Sequence, residues 1–333
     1  YLVGRSKTIF MFTNIHRFYH PEIFQGNISK KNYFEGWYFK QVSADGSQAF
    51  AVIPGISIDD KGSKRAFIQI LDGTKRKAIY EFYDIDQFSS KTNKFEFNIG
   101  NNFFSADGIK LDTPQLKGEI RFSKFHKWPK SLFSPGTMGW YSFMPFMECY
   151  HEVISMHHSL NGILEYEGRT ISFENGNGYL EKDWGRSFPK TWIWTQCNNF
   201  VHSENISAMV SVADIPWVKN HFIGYLGGLQ INEEFFMFTT YNSSKINVEL
   251  NDTQVKLELY NRKHRMVIYA EQSPGADLFS PIEGAMTGKV NESLLATHEL
   301  EFFINGNSVL SAIGHSAGLE VTGPVDVLLE GLN

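Results

Sequence analysis

Apolar and polar residues alternate along most of the chain with a period of two, the repeat of a strand with one buried face. In the first half this pattern predicts short strands over 48–58, 65–71, 78–83 and 94–99. Asp45-Gly46, Asp72-Gly73 and Asp107-Gly108, with Asp59-Asp60-Lys61-Gly62, supply turns at the spacing of a meander of hairpins. The second half repeats the style over 206–215, 222–231, 235–241, 255–260, 265–271 and 298–304. No stretch sustains a 3.6-residue period between helix caps. Only Asn32-Tyr33 and the segment 274–282 invite a turn of helix. The chain reads as all-β.

The middle has another texture. Residues 127–136 carry Pro129 and Pro135 and no period, which makes them a long loop. They lead into the apolar run Trp140-Tyr141-Ser142-Phe143-Met144-Pro145-Phe146, which Pro145 bars from a central strand. Loops of this length in compact domains serve as lids or linkers. The Asn175-Gly176-Asn177-Gly178 cluster marks a boundary between an N-terminal β domain, 1–175, and a C-terminal one, 176–333. No residue-level repeat relates the halves. Two antiparallel barrels or sandwiches packed together is the expected architecture, because closing a sheet removes its edges.

Composition narrows the function. Lys+Arg 31 against Asp+Glu 36 leaves a net charge of −5, with no basic run, so a nucleic-acid partner is excluded. Phe 29, Trp 7 and Tyr 14 make 15% of the residues aromatic, more than a β core alone calls for. A ring-lined apolar cavity accounts for the excess. The two cysteines, Cys149 and Cys197, read as free thiols of a reducing compartment. No run approaches the ~20 apolar residues of a membrane helix. Neither the opening Tyr1-Leu2-Val3-Gly4-Arg5 nor the brief Thr8–Phe12 stretch reads as a signal peptide, so a cytoplasmic location is expected.

Three segments offer chemistry. Extended, 191–198 puts Trp192, Trp194, Gln196 and Asn198 on one face, a wall with two indoles followed by two amides. In Gly178–Gly185, Tyr179, Glu181 and Asp183 share a face opposite Leu180, Lys182 and Trp184. Glu181 or Asp183 beside an aromatic wall suits a carboxylic acid whose proton affinity is raised by desolvation. In 34–40, Glu35, Trp37 and Phe39 face away from Phe34, Tyr38 and Lys40, and a Glu beside a Trp is more often a structural ion pair. His151 and His157 fall on one strand face, too far apart to share an ion, and no His-Glu-x-x-His occurs, so no metal is expected. Phosphate loops and the Gly-x-Ser-x-Gly element are also missing, and no cofactor is expected.

These residues carry a resemblance. Phe34–Lys40, Trp140–Glu148, and Gly178-Tyr179-Leu180-Glu181-Lys182-Asp183-Trp184-Gly185 with Phe188-Pro189 and Trp192-Ile193-Trp194-Thr195-Gln196-Cys197-Asn198 resemble tocopherol cyclases, in the same order from about Tyr33 to near Gly323. A more distant likeness, through Trp-Gly, is to carotenoid hydratases and other two-domain lipocalin-like proteins. The resemblance implies a bacterial homologue with two lipocalin-like domains. Its activity is expected to be cofactor-independent cyclisation of a prenylated hydroquinone to a chromanol. A carboxylic acid protonates an alkene, a tertiary cation forms, and a phenol oxygen traps it. The family carries Asn where this chain has Asp183, which favours Glu181 or Glu35 as the acid, with Glu148 in reserve. Trp37, Tyr38, Trp140, Tyr141, His157, Tyr179, Lys182, Trp184, Trp192, Trp194, Gln196 and Asn198 are the expected substrate contacts, Gln196 and Asn198 holding the quinol oxygens. A hydrophobic small molecule is the expected partner, taken up through peripheral contact with a membrane. The alternatives are a non-catalytic isoprenoid or lipid carrier and another cyclase, hydratase or isomerase of a hydrophobic polyene.

Overall fold

The structure, a computed structural model, describes residues 16–201 and 205–332. The opening segments Tyr1–Arg5 and Thr8–Phe12 lie outside the described residues. The first sheet is built from β1 (Tyr33–Val42), β2 (Ala49–Ile58), β3 (Lys64–Asp72), β4 (Lys77–Asp84), β5 (Phe88–Ser90), β6 (Glu96–Ile99), β7 (Asn102–Ser105), β8 (Gly108–Asp112), β9 (Leu116–Phe122), β10 (Cys149–Tyr166), β11 (Arg169–Ser172) and β12 (Gly176–Gly185). The second contains β13 (Trp192–Cys197), β14 (Ile206–Trp217), β15 (Asn220–Ile231), β16 (Glu234–Thr239), β17 (Lys245–Leu250), β18 (Gln254–Tyr260), β19 (His264–Glu271), β20 (Ala276–Ile282), β21 (Ala285–Ile304) and β22 (Asn307–Thr322). All described pairings are antiparallel, and the all-β reading stands.

The two sheets share one plan. In the first, the order is β4-β3-β2-β1-β12-β10-β9-β8-β7-β6-β5, with β11 on β10. In the second it is β16-β15-β14-β13-β22-β21-β19-β18-β17, with β20 on β21. In each, the first strand pairs with the last, and the two outermost strands follow one another in sequence. Each sheet therefore curls until its edges are one short connection apart, Ile85–Gln87 in the first and residues 240–244 in the second. Neither closes into a hydrogen-bonded barrel, because that connection occupies the place of the last ladder.

Three apolar clusters follow from this arrangement. One fills the curl of the first sheet around Trp37, Phe39, Phe97 and Leu180. A second fills the other curl around Ile193, Val210, Leu257 and Phe302. The third lies between the sheets and draws on both: Tyr38, Val42, Val153 and Tyr179 meet Trp192, Trp194, Met209 and Leu294. Strands at this seam are covered on both faces, so β13 is buried throughout and β1 at all but one position. Strands remote from it, such as β18, keep simple alternation. The same logic explains the faces in the sequence: alternate residues of β1, β12 and β13 serve two different interiors.

Some expectations shift. β12 pairs with β1 and β10, so the chain changes sheet at residues 186–191 and not at Asn175–Gly178. Asn175, at a φ of 56°, sits in the tight turn that opens β12. The segment 274–282 holds β20 and not a helical turn, because it hydrogen-bonds along β21. A helix, α1 (Asp326–Leu332), escaped the sequence reading; with seven residues it is too short to show a period. Its Leu328 seals the interior of the second sheet. The 127–147 loop is a strap across both sheets: Trp128 packs on Phe235, and Tyr241 donates to the Thr137 carbonyl at 2.7 Å. Glu152 holds it from beneath by accepting the Thr137 amide at 2.8 Å.

The interior of the first sheet is tied by a buried ion pair. Lys182 Nζ lies 2.5 Å from Glu35 Oε1, and both side chains are fully buried. Lys182 also donates to the carbonyls of Pro21 and Ile23 and lies over the rings of Trp37 and Trp184. Glu35 accepts from the amides of Gln25 and Gly26 and from the Tyr33 hydroxyl. The pair thus anchors the 20–26 segment to the strands. Removing one partner strands the other charge in an apolar interior. Glu35→Ala is expected to cost about 3–5 kcal/mol of stability, read as a fall in the urea unfolding midpoint; an unchanged midpoint refutes the anchoring role.

Candidate active site

Between the sheets, under the 127–147 strap, lies a cavity with mostly apolar walls. β12 directs Glu181 and Asp183 into it, β10 adds Cys149 and His151, and β1 adds Tyr38. The second sheet contributes Trp192, Trp194, Glu292 and Glu320. Phe34, Phe188 and Trp192 stack edge to face, as do Tyr38 and Trp194 with ring centres 5.5 Å apart. Both indoles are buried, and each turns its N–H toward a carboxylate. Trp194 Nε1 donates to Glu181 Oε2 at 3.0 Å and Trp192 Nε1 to Glu320 Oε2 at 2.6 Å.

Of the residues singled out in the sequence, Tyr38, Tyr141, Glu181, Asp183, Trp192 and Trp194 meet at this cavity. Tyr179 stands behind Glu181 and donates to its Oε2 at 2.6 Å. The others lie elsewhere. Glu35, Trp37, Lys182 and Trp184 occupy the opposite faces of β1 and β12, inside the first sheet, where strand parity puts them. Gln196 does not reach the cavity mouth: it is buried and accepts from Lys40 Nζ at 2.8 Å. Asn198 is spent on the Gly178 carbonyl at 2.8 Å. Glu148 pairs with Arg186 at 3.1 Å, and His157 packs against His126. Trp140 is 41% exposed and stacks on Tyr141, outside the cavity.

The sequence reading missed His151, Glu292 and Glu320 as cavity residues. His151 reaches the site because β10 pairs with β12 in a register that sets it opposite Asp183, which no local pattern reveals. Glu320 left one signal, a lone charge between Leu319 and Val321 in an apolar run.

The electrostatics follow from burial. His151 Nδ1 lies 3.0 Å from Asp183 Oδ1, and its Nε2 lies 3.8 Å from Glu181 Oε2. Burial alone would lower the imidazole, but the charges of Asp183 and Glu181 outweigh it and bring it to about 9. Glu181 is raised by burial, against the pull of His151, to about 7. Burial likewise raises Glu320 to about 8 and holds Glu292 well above the usual carboxylate range. The cavity therefore offers protonatable carboxyls near neutral pH in apolar surroundings. The donor atoms of His151, Glu181 and Asp183 lie within 4.8 Å of one another, close enough for a cation. The His151 ring bridges Asp183 and Glu181, and the trio reads as an ion-pair relay.

Comparison with known proteins agrees with this geometry. The tocopherol cyclase-like family model matches residues 112–323. The chain is 24% identical over 361 residues to the probable chloroplastic tocopherol cyclase of Oryza sativa subsp. japonica, covering 87% of this chain and 75% of that one. It is 25% identical over 357 residues to the chloroplastic tocopherol cyclase of Zea mays, with the same coverage. Among solved structures it is similar in fold to CghA, with a TM-score of 0.57, 11% identity, and 87% and 88% of the two chains covered. An AttH protein from Nitrosomonas europaea gives a TM-score of 0.51 at 13% identity, over 90% and 94% of the chains. The two curled sheets have a lipocalin-like, all-β fold, and the matched segment spans the cavity strands β10, β12, β13, β21 and β22, while β1 precedes it. The chain belongs to the tocopherol cyclase-like family.

Proposed function

We propose that the protein cyclises a prenylated hydroquinone, or a similar hydrophobic isoprenoid phenol, to a chromanol by proton transfer in the inter-sheet cavity. The observation that carries this reading is the set of buried carboxyls on an aromatic wall, a feature that a mere carrier does not need. The plant relatives named as tocopherol cyclases support the substrate class. Protonation of a trisubstituted alkene leaves a tertiary cation. Each well-placed aromatic face stabilises such a cation by up to about 2 kcal/mol once water is excluded, and Trp192, Trp194 and Tyr38, which line the cavity, would supply such faces. Dryness also keeps water from trapping the cation before the phenol oxygen closes the ring. The cavity walls hold oxygen and alkene together, which supplies orientation. Glu181 is one end of the proton transfer.

We infer further that the substrate enters from a lipid surface. Trp217 packs on Trp140 and Phe146, with exposed Val218 next to it at the β14–β15 tip, and these rings continue into the cavity wall through Tyr141 and Phe222. An aromatic cluster that runs from an exposed tip to the cavity wall suits the headgroup layer, and Lys219 at the same tip suits anionic lipid. The double variant Phe146→Ser, Val218→Ser is expected to lose most binding to anionic phospholipid vesicles in sedimentation; undiminished binding rules the cluster out.

Incubation with a prenyl hydroquinone in deuterated water is expected to give a cyclised product carrying one new carbon-bound deuterium, detected by mass analysis. A hydrated product would move the protein to the hydratase reading, and binding without turnover to the carrier reading. Glu181→Gln is expected to abolish turnover while leaving binding within a few-fold; Trp194→Leu should weaken both. Chelator treatment is expected to change neither. Activity lost to a chelator and restored by zinc would make His151, Glu181 and Asp183 a ligand set.

A further inference from the structure

Ring closure needs both a proton donor and a proton acceptor, and the cavity holds two carboxyl sites of opposite design. Glu292, on β21, is 1% exposed. Its Oε1 accepts from the Tyr38 hydroxyl, and its Oε2 is buried without a hydrogen-bond partner. Directly across the β21–β22 ladder stands Glu320, itself held by Trp192 Nε1. Two carboxylates at opposed positions of an antiparallel pair repel. Among the described residues neither has a cation within ion-pair distance. Lys40, whose charge reaches Glu292 from β1, is bonded to Gln196. These surroundings favour a neutral acid at Glu292 with its Oε2 free.

Glu181 is built the other way. Tyr179 Oη and Trp194 Nε1 donate to its Oε2, and the His151 ring, braced from behind by Asp183, faces the same oxygen. Two hydrogen-bond donors and an imidazolium stabilise a carboxylate.

We propose that Glu292 delivers the proton to the alkene and that Glu181, as a carboxylate, takes up the proton of the phenolic hydroxyl. This rests on the cyclisation reading, and it moves the donor role from Glu181, one of the acids the sequence offered, to the second sheet. The O–H bond of Glu292 breaks as the π pair of the alkene forms a C–H bond. A lone pair of the phenolic oxygen then forms the C–O bond, and its O–H pair stays on oxygen as the proton passes to Glu181. Substrate and product are isomers, and no electrons are gained or lost. Exchange with solvent on product release resets the two carboxyls. Burial and the facing Glu320 hold the proton on Glu292, while Glu181 at about 7 ionises near neutrality.

The groups whose charge bears on the result are Tyr38 and Lys40 from β1, Glu320 from β22, and His151, Tyr179 and Asp183 around Glu181. Infrared spectra of the substrate-free protein, at a pH about one unit above neutrality, separate the two carboxyls without any turnover. Glu292→Gln is expected to lose a protonated-carboxyl band that Glu181→Gln retains. The reverse pattern, or no band lost in Glu292→Gln, overturns the assignment whether or not any prenyl quinol reacts; Glu320, at about 8, contributes a band of its own in both variants. Gln keeps the size of a neutral Glu, so an unchanged thermal midpoint confirms that the variant is folded. In turnover, the rate should rise with pH through about 7 as Glu181 ionises and should be lost in Glu292→Gln. A rate that instead falls through that range makes Glu181 the donor.

Discussion

Everything at this site depends on the seam where β1 and β12 of one sheet meet β13 and β22 of the other. Because β1, β12 and β13 are covered on both faces over most of their length, their alternate side chains enter two interiors. Trp37 and Lys182 go into the first curl, while Tyr38 and Glu181, their neighbours, go into the layer between the sheets. One strand parity therefore separates a structural ion pair from a cavity carboxyl a single residue away. A one-residue slip of β12 would exchange them, burying Glu181 against Trp37 and exposing Lys182 to the cavity. The register pairing Tyr38 with Glu181 and Trp37 with Lys182 thus sets both the interior of the first sheet and the lining of the cavity.

Two ways of keeping charge in an apolar interior stand side by side. Glu35 and Lys182 satisfy one another and bind the backbone of the 20–26 segment, leaving no reactive lone pair. The cavity carboxyls are left incompletely matched. Glu181 has donors but only a distant imidazolium, and Glu292 has one hydroxyl and a facing acid. The first arrangement stabilises the chain. The second raises the proton affinity of both carboxyls above the usual carboxylate range, chiefly through burial.

The shared strand order of the two sheets explains why the cavity draws on both. Each half pairs its first strand with its last, so the beginning and the end of each sheet lie side by side at the seam. The strap of residues 127–147 crosses that seam and roofs the cavity with Met138, Tyr141 and Met147. Glu152 beneath it, and Tyr241 from the second sheet, hold the strap to both domains.

The period-two pattern, the turn signals and the lack of sustained helical period determined the all-β class and most strands, because alternation is a local property of the chain. The faces of 178–185 and 191–198 were equally legible, and with them the meeting of Glu181, Asp183, Trp192 and Trp194. Which face met which interior was not. Gln196 and Asn198 lie on the predicted face yet are consumed by Lys40 and the Gly178 carbonyl, partners from a strand 156 residues away in one case. His151 entered the cavity through the β10–β12 register, and Glu292 and Glu320 through the packing of the β21–β22 hairpin against the first sheet, neither of which the spacing of residues shows. Proton affinity was decided last of all, since it depends on burial and on facing charges that only the packed sheets bring together.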